Sequence, residues 1–253
     1  MTDTVTDTTL TVSVPPNTSV VLPGGYVTSE GTLTRSAEVR ELTGYDEEKI
    51  SAAVTTSQAL DTILHLATTK VGDEEPEQMT WATLLAGDAD AILLKIRDVN
   101  FGGSVPIDYT CGSCNHEGHS DLDLLKDIPS YTISENERVF DVELSGGRKV
   151  RCALPTYALR QQIAQEYEDG KNGAEIATTL LSGCVLEDLS TSFPITSKIA
   201  FVRELSIPDR VELLKQVDKR KVGPDLLDGS LICEGCGEKV KVALAMSDLF
   251  RWS

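Results

Sequence analysis

Cys111-Gly-Ser-Cys114 and Cys233-Glu-Gly-Cys236 are two Cys-x-x-Cys stretches, each followed by a residue suited to a left-handed backbone, Asn115 or Gly237. Such a knuckle turns the chain so that two thiolates face one metal ion. Two knuckles supply four soft ligands, enough for a closed tetrahedral site with no position left for a reacting water. The pattern predicts a structural zinc ribbon that clamps the middle of the chain to its end, with Cys111, Cys114, Cys233 and Cys236 as ligands. Two alternatives stand beside it: a local site in which His116 and His119 join Cys111 and Cys114, and thiols that stay reduced or form disulfides. The shared site is favoured, because a single residue separates Cys114 from His116 and the second knuckle has Glu238 where the first has His116.

The surroundings of the two knuckles are alike. Asp90-Ala-Ile-Leu-Leu-Lys-Ile96 precedes the first and Asp209-Arg-Val-Glu-Leu-Leu-Lys-Gln-Val217 the second, each an amphipathic helix leading into a hairpin. His119 to Leu125 and Lys239 to Leu244 alternate on the way out. Further upstream, Glu38-Val-Arg-Glu-Leu-Thr-Gly-Tyr45 resembles Lys149-Val-Arg-Cys-Ala-Leu-Pro-Thr-Tyr157. Three matches in one order predict an α+β fold built as a degenerate tandem duplication of strand, helices and zinc hairpin, over about 38–127 and 149–248. A zinc ribbon is itself two hairpins about a pseudo-twofold axis, so one knuckle from each copy can meet around one ion.

The expected organisation is an extended N-terminal arm over 1–35, a first repeat over 36–127 and a second over 128–253. The arm holds Thr, Ser, Val, Pro and Gly without helical period, with strand pieces near Thr9 to Val14, where Leu10, Val12 and Val14 alternate with polar residues, and near Ser19 to Leu22. Helices are expected near 46–55, 57–70, 88–98, 155–169, 172–183, 195–203 and 207–219. Hairpins are expected near 104–125, 138–153 and 226–244, the middle one turning at Gly146-Gly147. Val12, Val14, Val20 and Leu22 in the arm, with Phe250 and Trp252 at the apolar end, are the candidate partner-binding residues. For the two aromatics the favoured reading is a cap on the chain's own core, with anchoring on a partner as the alternative.

Charge and motif content exclude several functions. With 40 acidic against 23 basic residues, the formal charge of -17 opposes phosphate backbones and anionic membranes. Neither knuckle carries the Lys/Arg stripe with interleaved aromatics that nucleic-acid binding uses. The three histidines, His65, His116 and His119, form no catalytic pattern, and the glycine pairs lack the spacing of a phosphate loop. Cys152 and Cys184 read as buried thiols. Cys-x-x-Cys usage without a leader or a long apolar run suits a reducing cytoplasm. The residues therefore suggest no enzyme, no nucleic-acid partner, no membrane and no small-molecule substrate.

Leu22-Pro23-Gly24-Gly25-Tyr26, Val39-Arg40-Glu41-Leu42-Thr43-Gly44-Tyr45-Asp46-Glu47-Glu48 and Leu84-Leu85-Ala86-Gly87-Asp88 running into a Cys-x-x-Cys hairpin together resemble the zinc-ribbon baseplate hub, or tail assembly, proteins of contractile-tailed, T-even-like phages. The resemblance runs from about 20 to 252 and includes a closing knuckle before an aromatic end. It implies a non-enzymatic structural component of a tail baseplate, held among other baseplate and tail proteins in the virion after assembly in the host cytoplasm. It also implies zinc on the four cysteines. A tail assembly factor absent from the mature virion, or a nucleic-acid-associated zinc-ribbon accessory protein, are the alternatives.

Overall fold

Polar side chains start most of the helices. A computed structural model describes residues 17–250. Within it Thr43 caps α1 (Gly44–Ser51) in a reciprocal box with Asp46, and Thr55 caps α2 (Thr56–Ala67). These two helices follow the antiparallel pair β1 (Ser19–Val27) and β2 (Leu33–Val39), and the chain then returns as β3 (Thr68–Val71), giving the sheet order β1-β2-β3. A short α3 (Gln78–Thr83) and a long α4 (Ala86–Phe101) lead into the hairpin β4 (Ser104–Thr110) and β5 (Glu117–Asp123).

After a two-residue strand, β6 (Ser130–Tyr131), the same order recurs. The pair β7 (Val139–Glu143) and β8 (Lys149–Ala153) is followed by α5 (Tyr157–Glu168) and α6 (Gly173–Cys184), and by β9 (Val185–Asp188) in a sheet ordered β7-β8-β9. Thr156, Asn172, Ser197 and Ser206 cap α5, α6, α7 (Lys198–Glu204) and α8 (Ile207–Asp218). Pro208 sits in the first turn of α8, where a missing N–H costs little. A second two-residue strand, β10 (Gly223–Pro224), pairs with β6, and the hairpin β11 (Gly229–Ile232) and β12 (Lys239–Val242) ends in a 3-10 turn, Met246–Phe250.

The described residues bury two cores, and the division between them does not follow chain order. One gathers β1 to β5 and α1 to α4, and it also takes Leu231, Cys233, Val242, Leu244, Leu249 and Phe250 from the last hairpin and terminal turn. The other gathers β7 to β9 and α6 to α8 around Val150, Leu181, Val185 and Leu213. The end of the second series of elements is thus packed into the first. The two series also touch backbone to backbone, for a Cβ on Gly87 of α4 would lie 1.9 Å from the Val222 carbonyl oxygen. Tyr157 N–H donates to Leu84 O at 2.8 Å and Ala86 N–H to Pro155 O at 3.1 Å across the same joint. Among the described residues no helix is long and apolar enough to cross a membrane.

Three expectations need correction. The segment read as part of an extended arm contributes β1 and β2, with Val20 and Leu22 buried in the first core. The cause is that Pro23-Gly24-Gly25 breaks the alternation, while the backbone absorbs it as a register shift between Val21 and Tyr26. The repeated order accordingly starts at the first strand pair of each series, Ser19 and Val139, upstream of residues 38 and 149. Finally, the helix expected to run to residue 70 gives way at Thr68 to β3, and a corresponding strand, β9, follows α6 without a breaker between them. Val12, Val14 and Trp252 lie outside the described residues.

Candidate metal centre

Each knuckle closes by the same two backbone bonds. Asn115 N–H donates to Cys111 O at 2.9 Å and Cys111 N–H to His116 O at 2.9 Å. Gly237 N–H donates to Cys233 O and Cys233 N–H to Glu238 O, both at 2.8 Å. The turn needs a left-handed residue after the second cysteine, and Asn115 (φ 55°) and Gly237 (φ 75°) supply it. The hairpins β4-β5 and β11-β12 carry these turns at their tips, so their packing in one core brings the tips together.

All four sulfurs lie within 4.8 Å of one another. Cys111 Sγ is 3.7 Å from Cys236 Sγ, and Cys114 Sγ is 3.7 Å from Cys233 Sγ. A disulfide would need about 2.05 Å, whereas four metal–sulfur bonds of about 2.3 Å at tetrahedral angles put the sulfurs about 3.8 Å apart. The donor set therefore fits one metal ion, and its number and softness are compatible with zinc. Cys111 and Cys233 are buried while Cys114 and Cys236 are exposed, so the cluster has one face in the core and one in water.

The thiols cannot all ionise together without a cation. N–H groups of Cys114 and Ser113 hold the Cys111 thiol down to about 6. The Glu238 N–H pulls Cys236 in the same direction, but contacts with the other thiols and partial desolvation outweigh it and leave Cys236 near 12. A bound cation would remove that conflict, since thiolate is the ligating form.

The histidines are placed elsewhere. A Cβ on Gly235 would meet the His116 ring at 2.9 Å, so His116 rests on the opposite knuckle and spaces the two turns. His119 Nδ1 lies 2.8 Å from Asp108 Oδ1 on the exposed face of the hairpin, and this pairing raises the histidine's pKa. Tyr109 adds a further clasp: its hydroxyl accepts the Glu234 N–H at 3.1 Å, tying the first hairpin to the second knuckle. Of the candidate attachment residues that are described, Val20, Leu22 and Phe250 are buried in this chain's own core. The terminal turn lies against α4, with Leu249 and Phe250 covering the first core, in line with the reading of the apolar end as a cap on the chain's own core.

Sequence reasoning passed over a second polar centre. Asp88, fully buried in the first turn of α4, accepts the Gly24 N–H at 2.6 Å and the Gly25 N–H at 3.3 Å through Oδ1. Arg138, just ahead of β7, donates to the carbonyls of the same two glycines, and Arg35 donates to Pro23 O at 2.7 Å and Ile133 O at 2.6 Å. The signal was the Leu-Pro-Gly-Gly run itself, whose exposed peptide groups demand partners once they are buried.

A family model described as T4 bacteriophage base plate protein matches residues 26–187. The chain belongs to that family. A structural role in a phage tail baseplate follows, and the matched stretch runs from the end of β1 to β9. It contains the first knuckle and Asp88 with Arg35 and Arg138, but begins after Gly24 and Gly25 and stops short of α7, α8 and the second knuckle. No curated protein and no solved structure matches the chain.

Proposed function

We propose that this baseplate protein is a non-enzymatic hub or wedge part, made rigid by one zinc ion bound to Cys111, Cys114, Cys233 and Cys236. The observation that carries the reading is the convergence of two distant knuckles on one tetrahedron-sized cluster, at 3.7 Å sulfur spacings, in a chain of the baseplate family. Four thiolates close the coordination sphere, so the ion serves as a staple and offers no position to a substrate. The twofold recurrence of sheet, helices and knuckle hairpin supports an origin by tandem duplication, with the metal joining the two copies. Val12 and Val14, in the arm ahead of β1, attach the chain to neighbouring baseplate and tail proteins, as does Trp252 at the other end.

Purified full-length protein should contain one zinc per chain, with four sulfur neighbours in X-ray absorption. Cys111→Ser and Cys236→Ser should each lose it, whereas His116→Ala should retain it. Two zinc ions per chain, or none with oxidised cysteines, would overturn the staple.

A further inference from the structure

The two series are joined through a different surface of each. The junction between α3 and α4 in the first series meets the junction between β8 and α5 in the second, through an antiparallel bridge of Leu85 with Thr156. Its two bonds are Tyr157 N–H to Leu84 O and Ala86 N–H to Pro155 O. A contact between unlike surfaces does not close on itself: each series keeps the counterpart of the surface its partner uses, and that counterpart is left over at an end of the tandem. The recurring order of elements names the leftover pair. The junction between α7 and α8 corresponds to that between α3 and α4, and the junction between β2 and α1 to that between β8 and α5.

Backbone conformation carries the correspondence down to single residues. Leu84 and Leu85 lie at φ, ψ of -59°, 134° and -68°, 148°, and Leu205 and Ser206 at -65°, 145° and -61°, 154°. Thr156 and Thr43 are both helix caps, extended at -86°, 165° and -111°, 167°. Leu205 O and Ile207 N–H therefore stand where Leu84 O and Ala86 N–H stand, and Leu42 O and Gly44 N–H where Pro155 O and Tyr157 N–H stand. Among the described residues none of the four groups so matched has a hydrogen-bond partner. Their neighbours do: Asn100 Oδ1 accepts the Leu42 N–H at 2.7 Å, and Ser206 O accepts the Arg210 N–H at 3.0 Å, so each junction is fixed in place while the four groups stay unused.

The apolar surface beside them is bare. Ile207 is 78% exposed and Val211, one turn along α8, 56% exposed. Tyr45, beside Gly44, is 68% exposed, whereas Tyr157 at the start of α5 is 3% exposed inside the existing joint. Pro208 stands where α4 has Gly87. The Val222 backbone that requires Gly87 belongs to the stretch between α8 and β11, and Gly102-Gly103 alone corresponds to that stretch between α4 and β4, so no equivalent backbone collides with Pro208.

We infer that copies of this chain associate head to tail, residues 205–207 of one copy pairing with residues 42–44 of the next as residues 84–86 pair with 155–157 within the chain. Ser206 bridges Thr43, with Ile207 N–H donating to Leu42 O and Gly44 N–H to Leu205 O. Repetition of such a contact builds a ring or a filament. The inference rests on the recurrence of elements in the fold, and neither the zinc staple nor the roles given to Val12, Val14 and Trp252 enters it.

Light scattering on the full chain should give a mass that rises with concentration to at least twice 27.4 kDa. Gly44→Pro removes the donor at the first position of α1, where a Cβ meets nothing within 4 Å and proline suits both the helix start and the extended Thr43 before it. Ile207→Asp places a charge at the first position of α8, where the helix dipole favours it. Each variant should unfold in denaturant no earlier than the parent and run as a monomer. Mixed, the two should form a one-to-one dimer and nothing larger, since Gly44→Pro keeps the α8 surface intact and Ile207→Asp the α1 surface. A parent that remains at 27.4 kDa, association that survives either variant, or a mixture that stays monomeric or grows beyond a dimer would each overturn the inference.

Discussion

At the residue scale the chain is decided by a few backbone conformations and one buried carboxyl. The left-handed positions Asn115 and Gly237 were legible because Cys-x-x-Cys fixes where the turn falls and few residue types accept that backbone at low cost. Asp88 was not legible, since an aspartate in a helix's first turn ordinarily faces water and the dipole. Here burial raises its carboxyl to about 6; the Gly24 and Gly25 N–H groups and the charges of Arg138 and Arg35 offset that rise in part. A raised carboxyl holds its proton more tightly in the folded chain, so its favourable contribution is complete below the ordinary 3.8 and is lost as pH rises through about 6. The span of roughly two pKa units corresponds to about 3 kcal/mol. Asp88→Asn cannot titrate, and denaturant unfolding should show the parent losing about that much stability relative to the variant between pH 4 and 7. A difference that stays flat with pH would mean that Arg35 and Arg138 neutralise the carboxylate fully.

Elements were read with uneven success, and the failures share a cause. The helix ahead of each knuckle was visible from its apolar period and the middle hairpin from Gly146-Gly147, which lie at φ 72° and 78°. The third strand of each sheet was missed because α2 runs into Thr68-Thr-Lys-Val71 without Gly or Pro to mark the change, and α6 into Val185 with Gly183 still inside the helix; pairing with β2 or β8 overrides local preference there. The strand near Ser19 to Leu22 was legible, but not its place in the core, because burial of Val20 and Leu22 depends on a sheet and helix far along the chain. Leu22→Ala should therefore cost about 2–5 kcal/mol, the range for a truncated core leucine, where a residue of a free arm would cost almost nothing. The contact between α4 and β10 gives a sharper contrast. Gly87→Ala adds a methyl 1.9 Å from a carbonyl oxygen and should destabilise by about 1–3 kcal/mol or more despite better helix propensity. Gly173→Ala, in the first turn of α6 with open space around it, should instead be neutral or stabilise by up to about 1 kcal/mol. Equal effects in a thermal or denaturant scan would contradict the close approach of the two series.

At the scale of the whole molecule, the last hairpin and terminal turn belong to the first core, whereas the second sheet and α6 to α8 form a core of their own. The cluster sits where a segment from the second series has crossed to the first, so a metal there controls the crossing and leaves both sheets alone. Structural zinc in small peptides is worth about 10–16 kcal/mol at neutral pH, more than the whole stability of many domains. Removing it should release β11-β12 without dissolving the second core, whose centre around Val150, Leu181 and Leu213 contains no residue of either knuckle. Hydrogen exchange with and without a strong chelator measures this directly. Amides of 104–123 and 229–250 should lose protection together, because Tyr109, Leu122, Leu231 and Phe250 share one core. Amides of 139–188 should keep theirs. Uniform loss across the chain would mean that the two cores unfold as one unit, and a metal that merely decorated the surface would leave all three regions unchanged.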